Sequence, residues 1–241
     1  MSRNYIVPGG RYMRLSEAIF KAEHTLIAGT TGSGKSVLLS TTIRDFLRLY
    51  SPGEAELVLL DPKQMELDEY RDLPHVIGYA DTELDCKRIL AALVELMAER
   101  NRWCKANRTK TYPGAAVYVM IDELYPLTMG QHAREIKRLL SLLLTQSRAA
   151  NIHLVACTQL PNRAAIPANI VALFTMRIGL RTMSSIESRQ TIGIAGCEKL
   201  PLHGTALVAN GPTLSAVNIP MIDYNELNEL INYWTSKRCI A

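Results

Sequence analysis

The sequence has few cysteines, and none of them are closely spaced. Its five cysteines are scattered along the chain without any CxxC pair, at Cys86, Cys104, Cys157, Cys197 and Cys239. This spacing argues against a disulfide framework and against a zinc site, and isolated thiols are typical of proteins from a reducing compartment. We therefore expect a cytoplasmic protein.

Long hydrophobic runs are also missing. The longest unbroken apolar stretch is Ala115–Ile121, whereas a membrane-spanning helix needs roughly 18 residues. The first residues, from Met1 to Gly10, contain no apolar region of the kind that marks a secretory signal. We expect no membrane insertion by this chain.

The overall charge is too small to identify a class of partner. A formal net charge of +4, with 48% hydrophobic residues, is typical of an ordinary globular protein. The charge is nevertheless uneven, because residues 100–190 contain 13 Lys and Arg residues and only four acidic ones. Any anionic partner is therefore expected to contact this part of the chain.

Apolar runs alternate with helical patterns, which predicts a parallel sheet with helices packed on it. The predicted strands are His24–Ala28, Leu57–Leu60, Val76–Ala80, Val117–Ile121, Ile152–Cys157 and Val171–Ile178. A C-terminal hairpin is predicted from Ala206–Ala209 and Leu214–Ile219. The predicted helices are Lys35–Tyr50, a long helix from Thr82, Ala133–Ala150 and Asp223–Trp234. One α/β domain is expected over residues 1–241.

A phosphate-binding loop lies between the first predicted strand and the first predicted helix. The motif G-x-x-x-x-G-K-[ST] is complete and consists of Gly29, Thr30, Thr31, Gly32, Ser33, Gly34, Lys35 and Ser36. Such a loop directs successive backbone N–H groups at phosphate oxygens, and the following helix adds its positive dipole end. We expect Lys35 to reach the β- and γ-phosphates of ATP and the Ser36 hydroxyl to bind Mg²⁺.

Two acidic residues follow the buried strand Val117–Ile121. In open α/β sheets, ligands bind beyond the carboxyl ends of the strands. Asp122 is therefore expected to hold Mg²⁺, partly through water, and Glu123 to orient the attacking water as a general base. The next strand ends at Gln159. The arrangement resembles that of P-loop ATPases with a catalytic glutamate, which place a γ-phosphate sensor at this position; the alternative is a simple turn residue.

Six ordered segments resemble the motor core of the FtsK/SpoIIIE family of DNA translocases, within the HerA/FtsK superfamily of P-loop ATPases. They include the loop above, Leu60-Asp61-Pro62-Lys63 followed by Glu66-Leu67, and Asp122-Glu123-Leu124. The others begin at Ser147-Arg148-Ala149-Ala150, at Ser184-Ser185 and at Gly196-Cys197. The resemblance implies a RecA-like core over about residues 24–219, preceded by a lead-in over 1–23 and followed by a helix within 220–241.

The resemblance also implies a ring oligomer, usually a hexamer, in which a neighbouring subunit supplies an arginine to the ATP site. Arg189 is the first candidate for this arginine and Arg177 the second, although either can be an ordinary surface residue. A membrane anchor, a companion lobe and a winged-helix DNA reader do not fit in 241 residues. We therefore expect a minimal motor, of the kind found in phages, plasmids or mobile elements, with any anchor or DNA reader on a separate partner.

Two regions are candidates for contact with DNA. A basic run includes Arg100, Arg102 and Lys105, and it either contacts the phosphate backbone or is a cationic helix end favoured by the helix dipole. By resemblance, a loop after Gln159 faces the pore, which nominates Asn162 and Arg163. Nothing in the sequence predicts base readout, so sequence-non-specific binding of double-stranded DNA is expected.

The expected function is ATP hydrolysis that drives double-stranded DNA through a ring. A first alternative is a related ATPase for virus-genome packaging, conjugative transfer or protein secretion. A second alternative is a nucleotide-gated adaptor with little turnover.

Overall fold

The computed structural model describes residues 5–6, 12–159, 161, 163–219 and 221–238. Its centre is an eight-stranded sheet with the order β10-β9-β8-β3-β7-β6-β4-β5. The six strands from β8 to β5 in this order are parallel, and β9 and β10 are antiparallel to their neighbours. The strands are β3 (His24–Ala28), β4 (Ala55–Leu60), β5 (Val76–Ala80), β6 (Ala116–Ile121), β7 (Ile152–Thr158), β8 (Met176–Gly179), β9 (Thr205–Asn210) and β10 (Thr213–Asn218).

Helices cover both faces of this sheet. The described helices are α1 (Leu15–Lys21), α2 (Lys35–Leu49), α3 (Glu83–Asn107), α4 (Leu124–Met129), α5 (Ala133–Gln146), α6 (Ala168–Val171), α7 (Ser185–Ile192) and α8 (Tyr224–Arg238). Single 3₁₀ turns lie at Asp68–Tyr70 and Cys197–Lys199, and β1 (Tyr5–Ile6) pairs with β2 (Tyr12–Met13) in a separate small sheet. The expected mostly parallel α/β fold with a C-terminal antiparallel hairpin is confirmed.

Alternating strand residues divide the core into two layers. On the central strand β3, Leu26 packs into the cluster that contains α3, α4 and α5, whereas Ile27 packs into the cluster that contains α1, α2 and α8. Both side chains are fully buried. This two-sided burial explains why the strand reads as a continuous apolar run rather than as an alternating one.

The C-terminal helix is docked on α2, the helix that follows the phosphate-binding loop. The indole N–H of Trp234 donates a hydrogen bond to the carbonyl of Leu47 at 3.0 Å, and Arg48 forms an ion pair with Glu226. Asp223 accepts hydrogen bonds from the backbone N–H groups of Asn225 and Glu226, as expected of an N-cap.

Two predicted elements are wrong in part. The predicted strand Val171–Ile178 is split, because Val171 ends the short helix α6 and only Met176–Gly179 is extended. The predicted helix Ala133–Ala150 ends at Gln146, where the Ser147 hydroxyl bonds to the carbonyl of Ile152 and closes a turn into β7. In both cases local turn contacts override an apolar pattern that continues beyond the element.

The sequence predictions also omitted four of the described helices, α1, α4, α6 and α7. None of the helices that the structure describes combines the length and apolar character needed to cross a bilayer.

Candidate nucleotide-binding and hydrolysis site

The phosphate-binding loop joins the central strand β3 to α2, as predicted. Gly32 has φ of 75° and Gly34 has φ of 99°, which is the left-handed region that side chains other than glycine rarely adopt. The two glycines therefore allow the chain to curl back before α2 begins at Lys35. This brings the positive end of a 15-residue helix to the loop.

Lys35 lies folded into this loop. Its Nζ donates hydrogen bonds to the carbonyl oxygens of Gly29 at 2.7 Å and Thr30 at 3.1 Å. Burial lowers the pKa of Lys35, and the nearby Lys63 lowers it further, while neighbouring acidic groups act in the opposite direction. The ammonium is thus held by backbone carbonyl groups of the phosphate-binding loop itself.

Asp122 and Glu123 follow β6 at the same edge of the sheet, because β6 and β3 are both parallel to β7, which lies between them. Burial, with the nearby carboxylates of Asp61 and Glu66, raises the pKa of Asp122 to about 7. Glu123 is only 1% exposed. The edge therefore holds several carboxylates in a space largely shielded from water.

Three groups fix the carboxylate of Glu123. The backbone N–H of Gln159 lies 3.1 Å from both Oε1 and Oε2, and the backbone N–H of Tyr125 lies 3.3 Å from Oε1. Lys63 Nζ lies 3.2 Å from Oε2. The carboxylate is therefore held by the end of the neighbouring strand, by the start of α4 and by a cation.

Gln159 links Glu123 to the phosphate-binding loop. While its backbone contacts Glu123, its side-chain Oε1 accepts a hydrogen bond from the Thr31 hydroxyl at 3.1 Å. The structure therefore brings the predicted sensor together with both predicted motifs.

A third segment of the site, Asp61–Leu67, was given no role by the sequence predictions. Lys63 contacts Glu123, and Glu66 Oε1 accepts a hydrogen bond from the Ser36 hydroxyl at 2.6 Å. The sequence could have indicated that this segment belongs to the site, because Asp61 directly follows β4, which is parallel to β6 and ends at the same edge of the sheet.

The residues present fit a Mg²⁺ ion that is bound mainly through the nucleotide. Within the described part of the chain, no three His, Cys, Asp or Glu side chains form a metal site of their own. Mg²⁺ is commonly held by one or two protein ligands together with substrate phosphates and water. Ser36 and Asp122 supply a hydroxyl and a carboxylate, and Asp61 Oδ1 is buried at the same edge with no hydrogen-bond partner among the described residues.

A pocket of about 710 Å³ adjoins the loop at the carboxyl end of β8. Its size is within the range of small-molecule sites. Arg181 is a further residue that the sequence predictions omitted, and its carbonyl accepts the backbone N–H of Thr30 at 2.9 Å. The lining residues are Thr30, Thr31, Gln159, Arg181, Met183, Glu187 and Leu202.

The arginine candidates lie together in a different pocket of about 520 Å³. Arg163, Arg177 and Arg189 all line it, with Ile166, Val171 and Ile186 among the apolar residues around them. None of the residues that line it belongs to the phosphate-binding loop. This placement is compatible with an arginine that serves a neighbouring subunit.

The predicted DNA contacts separate into two places. Arg163 lies in the arginine pocket, beyond the carboxyl end of β7, and Asn162 lies outside the described residues. Arg102 and Lys105 are exposed on the last turns of α3. The structure therefore does not bring the basic run together with the loop after Gln159.

Arg100 does not fit the prediction that it contacts DNA. Arg100 is only 8% exposed, and its Nη1 donates hydrogen bonds to the carbonyl oxygens of Ala115 at 3.0 Å and Ala150 at 3.1 Å. Its guanidinium carbon also lies 4.6 Å from the centre of the Tyr112 ring. Because these groups occupy the side chain, Arg100 is a structural residue and not a phosphate contact.

Several known proteins are similar to this chain in sequence or in fold. A sequence model of the FtsK/SpoIIIE family matches residues 11–197. A DNA translocase FtsK from Mesorhizobium japonicum is 31% identical over 261 residues, which cover 89% of this chain and 29% of that protein. The chain thus spans less than a third of the length of this curated relative.

Two solved structures share the fold. The conjugation coupling protein TcpA of pCW3, in a monomer form with ATPγS, has a TM-score of 0.79 at 22% identity, covering 97% of this chain and 70% of that one. The cytoplasmic domain of the type VII secretion ATPase EccC from Thermomonospora curvata has a TM-score of 0.76 at 20% identity, covering 96% of this chain and 30% of that one.

The family match covers most of the chain and includes the loop, the Asp61–Leu67 segment and the Asp122–Glu123 pair. It agrees with the RecA-like architecture and confirms the expectation of an ATP-hydrolysing enzyme. The chain belongs to the FtsK/SpoIIIE family.

Proposed function

We propose that the chain is the motor of an ATP-driven translocase that moves double-stranded DNA, without sequence preference, through a ring of subunits. The observation that carries the hydrolytic part is the placement of Glu123. Its buried carboxylate is bound to Gln159, and Gln159 in turn is bound to the phosphate-binding loop through Thr31. This arrangement couples a candidate general base to the place where the γ-phosphate is expected.

Hydrolysis would proceed by in-line attack of water on the γ-phosphate of ATP. The loop N–H groups and Lys35 bind the phosphate oxygens, and Glu123 orients the water and accepts its proton. Bound Mg²⁺ supplies neutralising charge for the phosphates, and Ser36 and Asp122 are the residues that would hold it. Lys63 Nζ lies 3.2 Å from Glu123 Oε2 and forms an ion pair with this carboxylate.

We expect the motor to assemble in the cytoplasm as a ring. Rings in this family are usually hexamers. The position of Arg177 and Arg189 away from the phosphate-binding loop supports a role in a neighbour's site. The exposed Arg102, Lys105 and Arg163 support contact with the phosphate backbone, since such contacts need accessible cations.

Relatives with other cargoes favour a second candidate. TcpA is a conjugation coupling protein and EccC a type VII secretion ATPase. The same fold is therefore compatible with conjugative transfer or protein export, and with packaging of a virus genome, the role named for the NTPase B204 of Sulfolobus turreted icosahedral virus 2. A nucleotide-gated adaptor is a weaker candidate, because Glu123 is present and well held.

A phosphate-release assay tests the proposal. With ATP and Mg²⁺ at low salt, the protein is expected to turn over many times, and linear duplex DNA of unrelated sequences should increase the rate equally. The stimulation should fall steeply as salt rises, because phosphate contacts release counterions. Absence of stimulation at low salt would favour protein export, and absence of multiple turnover would favour the adaptor.

Glu123→Gln provides the control for this assay. The change removes the general base and is expected to lower turnover by a factor of about 10²–10⁴, while ATP binding persists. Turnover that survives unchanged in this variant would indicate a contaminating ATPase or a different base.

A further inference from the structure

We propose that Glu66 is a positioning residue for the Mg²⁺ ion at the nucleotide site, acting through Ser36. This inference rests on the proposed ATPase function and adds a residue to it. Its main observation is the 2.6 Å hydrogen bond from the Ser36 hydroxyl to Glu66 Oε1. The residue follows β4, in a segment distinct from both the phosphate-binding loop and the Asp122–Glu123 pair.

The hydrogen bond is compatible with metal ligation by Ser36. A serine hydroxyl has one proton to donate and two lone pairs that can accept or ligate. When the proton is committed to Glu66, the rotation of the hydroxyl is fixed and the lone pairs remain free for a cation. An ionised acceptor also makes the bond short and strong, which increases the electron density on the ligating oxygen.

Asp61 holds Glu66 in place. One oxygen of the fully buried Asp61, Oδ2, accepts the backbone N–H groups of Met65, Glu66 and Leu67 at 3.0, 3.0 and 2.9 Å. Three bonds to one carboxylate oxygen fix the backbone of the segment just where the Glu66 side chain leaves it. The location of Glu66 is therefore a property of the fold and not of a flexible surface chain.

A second attachment ties this segment to α2. The Tyr70 hydroxyl donates a hydrogen bond to Ser40 Oγ at 3.2 Å, one helical turn beyond Ser36, and Tyr70 is fully buried. The segment thus contacts α2 at two successive turns, through Glu66 and through Tyr70. Both ends of the Ser36–Glu66 contact are consequently anchored.

Glu66 also lies at the same edge of the sheet as the other expected metal ligand, because it follows β4 and Asp122 follows the parallel neighbour β6. Ser36, Asp122 and Glu66 are therefore contributed to this edge by three segments. A negative outer residue beside a hydroxyl ligand favours a divalent cation there.

The test uses Mn²⁺ as a spectroscopic replacement for Mg²⁺ and ADP as the nucleotide. Binding of Mn²⁺ in the presence of ADP is measured by electron paramagnetic resonance for wild type and Glu66→Ala, and ADP binding is measured separately in EDTA. We expect Glu66→Ala to weaken Mn²⁺ binding by about 10–100-fold, the usual effect of losing an outer-shell partner. ADP affinity in EDTA should stay within about twofold of wild type.

Two further variants make the result specific. Glu66→Gln keeps an acceptor for the Ser36 hydroxyl but removes the charge, so its Mn²⁺ affinity should fall less than that of Glu66→Ala. This variant also replaces Glu66→Ala if the alanine variant does not fold. Glu95→Ala changes an exposed glutamate on α3 and should bind Mn²⁺ as wild type does. Equal or tighter Mn²⁺ binding by both Glu66 variants would overturn the inference, the tighter result indicating that Glu66 competes with the cation.

The same experiment separates this inference from the proposed function. Wild-type protein that binds no ADP, with or without Mn²⁺, would refute the nucleotide site and this inference with it. If wild-type protein binds ADP and Mn²⁺ and Glu66→Ala binds them equally well, only the role of Glu66 is refuted.

Discussion

The backbone N–H of Gln159 lies 3.1 Å from both carboxylate oxygens of Glu123. The same residue accepts a hydrogen bond from the Thr31 hydroxyl through its side chain. One residue therefore contacts the candidate general base with its main chain and the phosphate-binding loop with its amide. A change in the loop on nucleotide binding can reach Glu123 through this residue.

Gln159→Ala should lower ATP turnover by up to about tenfold while leaving ADP affinity nearly unchanged. The backbone contact to Glu123 survives the substitution, and only the neutral side-chain bond to Thr31 is lost, which contributes about 0.5–1.5 kcal/mol. Steady-state phosphate release and ADP titration measure the two effects. Gln131→Ala, on an exposed residue outside the site, is the matched control. Turnover equal to that of the control would mean that Gln159 is a turn residue.

Arg189→Ala should lower ATP turnover by a factor of about 10³ or more, without loss of ATP binding. If the arginine acts on a neighbour, mixing Arg189→Ala with Glu123→Gln should restore part of the activity, because some interfaces then contain both intact residues. The mixture is assayed for phosphate release against each variant alone.

Arg177→Ala should be assayed in the same way. Arg177 has a buried Nε with no hydrogen-bond partner among the described residues, and it lines the same pocket as Arg189. Restored activity in only one of the two mixtures identifies the residue that acts in trans. Failure of both mixtures, with both variants inactive, would place the arginines in their own subunit's chemistry.

The sequence predicts most of the nucleotide site because its parts are local in the chain. The loop, the strand before it and the helix after it occupy consecutive residues, and the glycines at 32 and 34 are required by the backbone itself. Glu66 could not be predicted in this way. Its contact with Ser36 joins residues 30 positions apart, and the strand order β3-β7-β6-β4, which places the two segments at one edge of the sheet, depends on long-range pairing.

Arg100 and Arg102 show the limit of charge patterns. Both belong to one basic run, yet one is 8% exposed and the other lies on the outer face of the same helix. Since the two residues differ in direction and not in chemistry, a run of charges does not reveal which side chain turns inward. The packing of α3 against the residues that precede β6 and β7 decides it.

Folding stability should fall in mildly acidic solution because of His24. Burial and the neighbouring His153 lower the pKa of His24 to about 4, so the unfolded chain binds a proton there that the folded chain does not. The stabilisation is complete above the unfolded pKa of about 6.5 and is lost as the pH falls towards 4. We expect a loss of about 2 kcal/mol from this residue between pH 7 and pH 5.

Urea unfolding of His24→Asn at the two pH values checks this expectation. Asparagine can still accept the Leu154 N–H that His24 Nδ1 accepts at 3.1 Å, but it does not titrate. The variant should therefore lose less stability between pH 7 and pH 5 than wild type or the exposed His203→Asn control. An unchanged pH dependence would assign the effect to other groups, such as His75 and His153, whose pKa values burial also lowers.

Arg100→Ala and Arg102→Ala should separate stability from DNA binding. Removing the Arg100 guanidinium leaves the carbonyls of Ala115 and Ala150 without their donor, so the free energy of unfolding should fall by about 2–4 kcal/mol. Arg102→Ala should change it by less than about 0.5 kcal/mol and should instead weaken non-specific duplex binding and reduce its salt dependence. Denaturant unfolding and DNA titration at two salt concentrations measure both quantities. A stable Arg100→Ala protein with weakened DNA binding would reverse the assignment of the two arginines.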